Sequence, residues 1–197
     1  MLRYLITTTC AIALMAVSAP AYARDAVASL SGNEVRALNM VYEKCAALTS
    51  RDLGSTVVRI RESNDAVFVS VAAKTQAQAI FKVDKRTDQV SQHDAALTVG
   101  TPEVNLPGDE AKAISLTYGK WLSDATAAPA SRSDLLSGSF SVKEQPILQN
   151  PSGKPGYYVT YLASRPREPA GGLGCRDFTN YRVDPASWQV FKQPKIC

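Results

Sequence analysis

The chain has 197 residues, a formal net charge of +4 and 45% hydrophobic residues, enough apolar material for one compact domain or two small ones with real cores. So weak a basic balance gives no ground for a nucleic-acid-binding or membrane-surface protein. A single histidine, His93, leaves little for histidine-based catalysis or metal ligation.

Residues 1–23 open with Arg3, continue through an apolar stretch from Leu5 to Val17 and end in Ala21-Tyr22-Ala23. This is the small-x-small pattern that a signal peptidase cuts. The apolar stretch is interrupted by three threonines and is short for a bilayer span, so the segment reads as a secretory signal. Cys10 follows those threonines, with Thr7 where a lipoprotein signal would place a leucine-like residue. The expected mature chain begins at Arg24 and resides in the periplasm or is secreted, with no stable membrane insertion.

Residues 32–45 (GNEVRALNMVYEKC) place Val35, Leu38, Tyr42 and Cys45 at helical spacing, the pattern of an amphipathic helix; Ser31 and Asn33 are candidate caps. Residues 56–62 alternate Val58 and Ile60 with Arg59 and Arg61, and residues 66–73 put Val67, Val69 and Val71 on one face, so both read as half-buried strands. Residues 81–92 (FKVDKRTDQVSQ) read as a strand, a tight turn opened by Asp84, and the start of another strand.

The same series then returns. Residues 108–121 (GDEAKAISLTYGKW) repeat the helix at an offset of 76, residues 138–144 and 156–163 repeat the next two strands at offsets of 82 and 90, and residues 181–192 (YRVDPASWQVFK) repeat the turn segment at an offset of 100. The extra length falls near 123–137, 149–155 and 165–176, where loops absorb insertions cheaply. The expected organisation is therefore a signal peptide (1–23), a first α+β repeat (24–92), a linker (93–107) and a second α+β repeat with longer loops (108–197). The expected fold is α+β, two tandem helix-plus-antiparallel-meander (αβββ) repeats, with each helix packed on one face of its sheet.

The pattern VD-x-x-[TS]-x-x-V, written at 83–90 and 183–190, resembles the closing hairpin of PepSY-type and other cystatin-like exported modules. Such modules usually carry glycine where this chain has Asp88 and Trp188. The resemblance implies an extracytoplasmic, non-enzymatic module that regulates or inhibits another protein.

The sequence contains no paired-histidine zinc motif, no nucleophile-elbow serine and no phosphate-cradling loop, and Gly171, Gly172 and Gly174 are not followed by an apolar helix. No catalytic residue, metal ligand or cofactor is therefore expected, and the chain is read as a non-enzyme. Cysteine says more. Cys45, Cys175 and Cys197 remain after cleavage, and an exported protein oxidises a pair that can meet. A hairpin centred on Ala186 would set Cys175 nearly opposite Cys197, the expected disulfide, with Cys45–Cys197 as the alternative pairing.

Residues 165–176 carry Arg165, Arg167, Glu168 and Arg176 among prolines and glycines, a basic loop suited to the acidic cleft of a partner protein. Trp188, at a turn tip where the first copy has Asp88, is either tucked onto a neighbour or offered as an anchor. Together these features predict an exported binding protein that inhibits or neutralises a protein partner, in the manner of an immunity protein against a toxin or hydrolase. Binding is expected on the loops of the second half and the exposed face of its sheet. The alternative is a carrier of a small ligand or cell-wall fragment, with Tyr157 and Tyr161 lining a pocket between helix and sheet.

Overall fold

A computed structural model describes residues 28–44, 56–73, 76–94, 103–126, 137–145, 156–163 and 178–194. In chain order they form β1 (Ala28–Ser31), α1 (Gly32–Lys44), β2 (Thr56–Glu62), β3 (Ala66–Ala73), β4 (Gln76–Asp84), β5 (Val90–Gln92), β6 (Glu103–Pro107), α2 (Gly108–Thr126), β7 (Ser139–Gln145), β8 (Gly156–Leu162), β9 (Phe178–Val183) and β10 (Val190–Lys192). The class is α+β, as the alternating and helical periodicities required. α2 extends to Thr126, so the start of the expected loop at 123–137 is helix.

The strands form two antiparallel five-stranded sheets, ordered β5-β4-β3-β2-β6 and β1-β7-β8-β9-β10. Four strands of each sheet follow one another as a meander. The fifth comes from the other part of the chain. β1, just before α1, pairs with β7 in the second sheet, Leu30 opposite Phe140. β6, just before α2, pairs with β2 in the first sheet, Leu106 opposite Val58. Each helix is thus entered from a strand that belongs to the sheet of the other helix. Two expectations need adjusting. Glu103–Pro107, the end of the expected linker, is a strand of the first sheet, and Ala28–Ser31 of the expected first repeat completes the second sheet. The two crossing strands lie beside each other, and the helices pack together.

The core follows from strand alternation. Val58, Ile60, Val67, Val69 and Leu106 from the first sheet and Leu30, Phe140, Val159, Tyr181 and Val183 from the second are fully or almost fully buried, as are Val35, Leu38, Val41 and Ile114 from the helices. These side chains belong to one continuous apolar cluster, so the two sheets and two helices share a core. Between the helices, Asn39 Nδ2 donates to the carbonyl and the hydroxyl oxygen of Ser115 at 3.4 and 3.3 Å. These positions are separated by the offset of 76 that relates the helices in sequence.

α1 begins with a capping box. Ser31 Oγ accepts from the Glu34 amide at 3.2 Å, and the Glu34 carboxylate accepts from the Ser31 amide at 2.7 Å, so of the two candidate caps Ser31 fills the role. Ser31 also donates to Glu62 at 2.8 Å, beside Asn33 at 3.0 Å and the Lys85 ammonium at 2.6 Å. Burial works against the charge on Glu62, but the hydrogen bonds from Lys85, Ser31 and Asn33 outweigh it and hold the carboxyl below its ordinary value of 4.5. Glu34 goes the other way, raised chiefly by burial.

The two shifts have opposite consequences for stability. A lowered folded value means that the contribution of Glu62 is present above pH 4.5 and is lost as pH falls below it; a raised value means that the contribution of Glu34 is present in acid and lost as pH rises. Glu62→Gln should cost about 1–2 kcal/mol at neutral pH and flatten the acid limb of the stability profile. Glu34→Gln, which can still accept from Ser31, should flatten the profile above pH 4.5. Urea titrations across pH check both; parallel profiles for Glu62→Gln and the parent chain would exclude Glu62 from the acid response.

Candidate partner-binding face

The two turns singled out in the sequence are built alike. Asp84 Oδ1 accepts from the amides of Arg86 and Thr87 at 2.9 and 2.8 Å, and the Asp88 amide donates to the Asp84 carbonyl at 3.0 Å. In the second turn Asp184 accepts from the Ala186 amide at 3.1 Å and the Ser187 hydroxyl at 2.9 Å, and the Trp188 amide donates to the Asp184 carbonyl at 2.7 Å. Hydrogen bonds from Thr87 and then Arg86 hold the Asp84 carboxyl below its usual range. Each turn then places a non-glycine residue in the left-handed region, Asp88 at φ 59° and Trp188 at φ 56°, where glycine alone is unstrained.

Side-chain contacts offset that strain, differently in each turn. Asp88 forms an ion pair with Arg36 of α1. Trp188 stacks on Tyr157 with centroids 6.3 Å apart and rings 9° from parallel, and the Lys112 ammonium of α2 lies 4.0 Å above its ring. Burial is the main reason that Lys112 is lowered from its ordinary value. Of the two roles open to Trp188, the structure places it tucked and half-buried. Trp188→Ala should cost about 1–2 kcal/mol, through loss of the stack and the cation–π contact. Trp188→Gly loses the same contacts but relieves the backbone, so it should be about 1 kcal/mol more stable than Trp188→Ala. Denaturant midpoints of the pair read the strain directly; an alanine variant as stable as the glycine variant would rule it out.

The tyrosines expected to line a ligand pocket are used in packing. Tyr157 carries Trp188, and Tyr161 lies 4.7 Å from Trp121 and 5.0 Å from Phe140, ring centre to ring centre. A cleft lined by Asn33, Arg36, Asp84, Lys85 and Asp88 has about 10 Å³ of space, room for one water. His93 rests against the Phe68 ring at 5.2 Å. No group of three potential metal ligands occurs among the described residues.

The face of the second sheet turned away from the helices is different. Register and alternation put Lys143, Tyr158, Arg182 and Phe191 in one cross-strand row, Ser141, Thr160 and Asn180 in the next, and Ser139, Leu162 and Phe178 in a third. Thr160 donates to Asn180 at 2.8 Å, and Arg182 lies 6.0 Å from the Phe191 ring. Leu162 and Phe191 are the exposed large hydrophobics among the described residues, at 46% and 45% exposure. The sequence pointed to this face but to none of these residues. The signal available to it was the outward phase of each strand, where Tyr158, Leu162, Phe178 and Phe191 are apolar at positions that only need to be wet.

Among the expected site residues, Arg165, Arg167, Glu168 and Arg176 lie outside the described residues, as do Cys45, Cys175, Cys197 and residues 1–23. Leu162 and Phe178, the strand residues on either side of the arginine-bearing stretch in the sequence, are paired at the apolar end of this face. The ladder pairs Val183 with Val190, so the hairpin is centred between Ala186 and Ser187, just past the expected centre at Ala186. No helix among the described residues is long and apolar enough to cross a membrane. Compared with known proteins, the chain matches no family model, no curated protein and no solved structure.

Proposed function

We propose that the protein is an exported, non-enzymatic binding protein that inhibits or neutralises a partner protein, in the manner of a periplasmic immunity protein against a toxin or hydrolase. The observation that carries this reading is the outer face of the second sheet, where Leu162 and Phe191 are exposed beside Tyr158 and Phe178. Apolar and aromatic residues with a polar rim are the composition of a protein–protein contact. The signal-like segment at 1–23 supports export to the periplasm or beyond. Arg165, Arg167, Glu168 and Arg176, which lie between Leu162 and Phe178 in the sequence, would extend the contact, and Trp188, held on the helix side of the sheet by Tyr157 and Lys112, would support that face from behind. A Cys175–Cys197 disulfide would tie that stretch to the C-terminus in an oxidising compartment.

The fold is consistent with an ancestry by duplication, each unit being a leading strand, a helix and a meander, with the leading strands exchanged. The matched turns, the matched helix contact at Asn39 and Ser115, and the reciprocal pairing of β1 and β6 support it.

The test is capture of binding proteins from the periplasmic and secreted fractions of the source organism with tagged, signal-free chain. One stoichiometric toxin or hydrolase is expected. Replacing Tyr158 and Phe191 with alanine should weaken that complex by about 2 kcal/mol or more, as for interface hot spots. Unchanged affinity would move the contact off this face, and an empty bait would defeat the reading.

A further inference from the structure

The two sheets have four edges, and three of them are guarded. β6 of the first sheet and β1 of the second approach within 8 Å between Cα atoms. Neighbouring strands sit about 4.8 Å apart, so a further strand between these two would need nearly twice that. The outer edge of the first sheet is β5, where the Lys44 ammonium of α1 donates to the Val90 carbonyl at 3.4 Å. A lysine set on an edge strand is a usual protection against added strands.

The fourth edge, β10, lacks that guard. The residue that repeats Lys44 in α2 is Lys120, and it pairs with Asp124 of its own helix at 2.7 Å. Lys192 of β10 turns its side chain to the same carboxylate, at 3.7 Å. Asp124 thus draws both lysines away from the edge. The Asp184 amide donates to the Gln189 carbonyl at 3.0 Å, and the Gln193 amide donates to the Asn180 carbonyl at 2.8 Å. With Phe191 opposite Arg182, the residues of this strand that bond back to β9 are therefore Gln189, Phe191 and Gln193. Val190 and Lys192 point their amides and carbonyls the other way, and among the described residues nothing bonds to these four groups. Between them Phe191 sets its ring on the outer face, 45% exposed.

We propose that β10 is an acceptor edge, to which an extended segment of the partner protein adds as an antiparallel sixth strand. Its backbone bonds at Val190 and Lys192, and an apolar side chain lies beside Phe191 on the outer face. Antiparallel addition continues the pairing found throughout both sheets. The inference rests on the partner-binding reading and supplies the mode of recognition: main-chain bonds give affinity, and alternate side chains select the segment. A second copy of this chain fits less well. Its β10 would offer only the same short ladder, ended by the left-handed Trp188 and by Pro194, whereas an unpaired segment of another protein is not stopped at either side.

The probe is the peptide acetyl-KTVYVTK-amide, titrated to millimolar concentration into the isotopically labelled, signal-free chain, with amide hydrogen exchange as the readout. Exchange should slow at Val190 and Lys192 and stay unchanged at Phe191, whose amide already bonds to β9, giving strand addition its period of two. The peptide N-methylated at both valines, which would face β10, should bind at least about tenfold more weakly. The peptide N-methylated at its tyrosine, which would face away, should bind as the unmodified one does. These comparisons leave the protein itself untouched. Lys192→Pro removes one outward amide and spares the ladder to β9, so it should abolish binding; Lys192→Ala keeps the amide and should bind within about twofold. Thermal midpoints confirm that both variants fold. No binding, protection confined to other elements or alike at all three residues, or equal affinity for the two methylated peptides would overturn the proposal. Self-association of the free chain that Lys192→Pro abolishes would also overturn it, by giving the edge to a second copy. A partner captured by the parent chain and by Lys192→Ala should be lost from Lys192→Pro. Equal capture by all three would overturn the proposal while leaving the binding function intact; capture of nothing would overturn the binding function itself.

Discussion

A chain cut between residues 94 and 103 yields a second fragment that does not fold alone. The fragment from 103 onward retains α2 and β7–β10 but loses β1, leaving β7 as an unpaired edge with Phe140 uncovered where Leu30 had lain. It also loses α1, whose packing on α2 buries Ile114 and the Asn39–Ser115 hydrogen bonds, while β6 has no β2 to pair with. The first fragment is damaged reciprocally, since β1 has no sheet and β2 has lost Leu106. Each loss exposes several fully buried side chains worth about 1.5–3 kcal/mol apiece, which together match the whole stability expected of a domain of this size. Circular dichroism should show neither fragment melting cooperatively, the mixed fragments regaining a transition, and the intact chain unfolding in one step. A cooperative transition in either fragment alone would mean that the exchanged strands are not needed for folding.

Phe140→Ala should destabilise the intact chain by about 3–5 kcal/mol. The ring has no exposed surface and is packed against three others, with centroids 5.8 Å from Tyr118, 5.6 Å from Trp121 and 5.0 Å from Tyr161. Tyr118 and Trp121 come from α2, Tyr161 from β8, and across the ladder lies Leu30 of β1. Three elements converge on one side chain of β7, so none can close the cavity without disturbing another. Phe140→Leu keeps most of the volume and should lose well under half as much. Trp121 fluorescence in denaturant reports the change next to the cavity, and the midpoint should fall with the slope preserved. A loss below about 1 kcal/mol would show that the neighbouring rings collapse into the space.

The candidate site was legible in part. Trp188 was recognisable because a large aromatic replaced the polar residue of its counterpart at a turn; that its backbone is left-handed, and that Tyr157 and Lys112 hold it down, depends on elements far from the turn in sequence. The charged and aromatic rows were present in the strands as outward positions, but a row is a property of several strands at once. Tyr158 becomes the centre of one only when register sets it between Lys143 and Arg182.

The sequence by itself determined the α+β class, both helices and the strands of the two meanders, because apolar periodicities of two and about four are local and the longer segments carry their own, while the three-residue β5 and β10 are marked as the returns of the two aspartate turns. It also determined the paired turns, whose aspartates accept from the residues two and three positions ahead, two amides in the first turn and an amide and a hydroxyl in the second. Only the tertiary structure decided that β1 and β6 are strands and which sheets they complete. Four or five residues such as Ala28–Ser31 and Glu103–Pro107 are too short to carry a period of their own. Their conformation is stabilised by partners elsewhere in the chain, Leu30 against Phe140 and Leu106 against Val58, and pairing between distant segments depends on the surface that both bury rather than on any pattern within either.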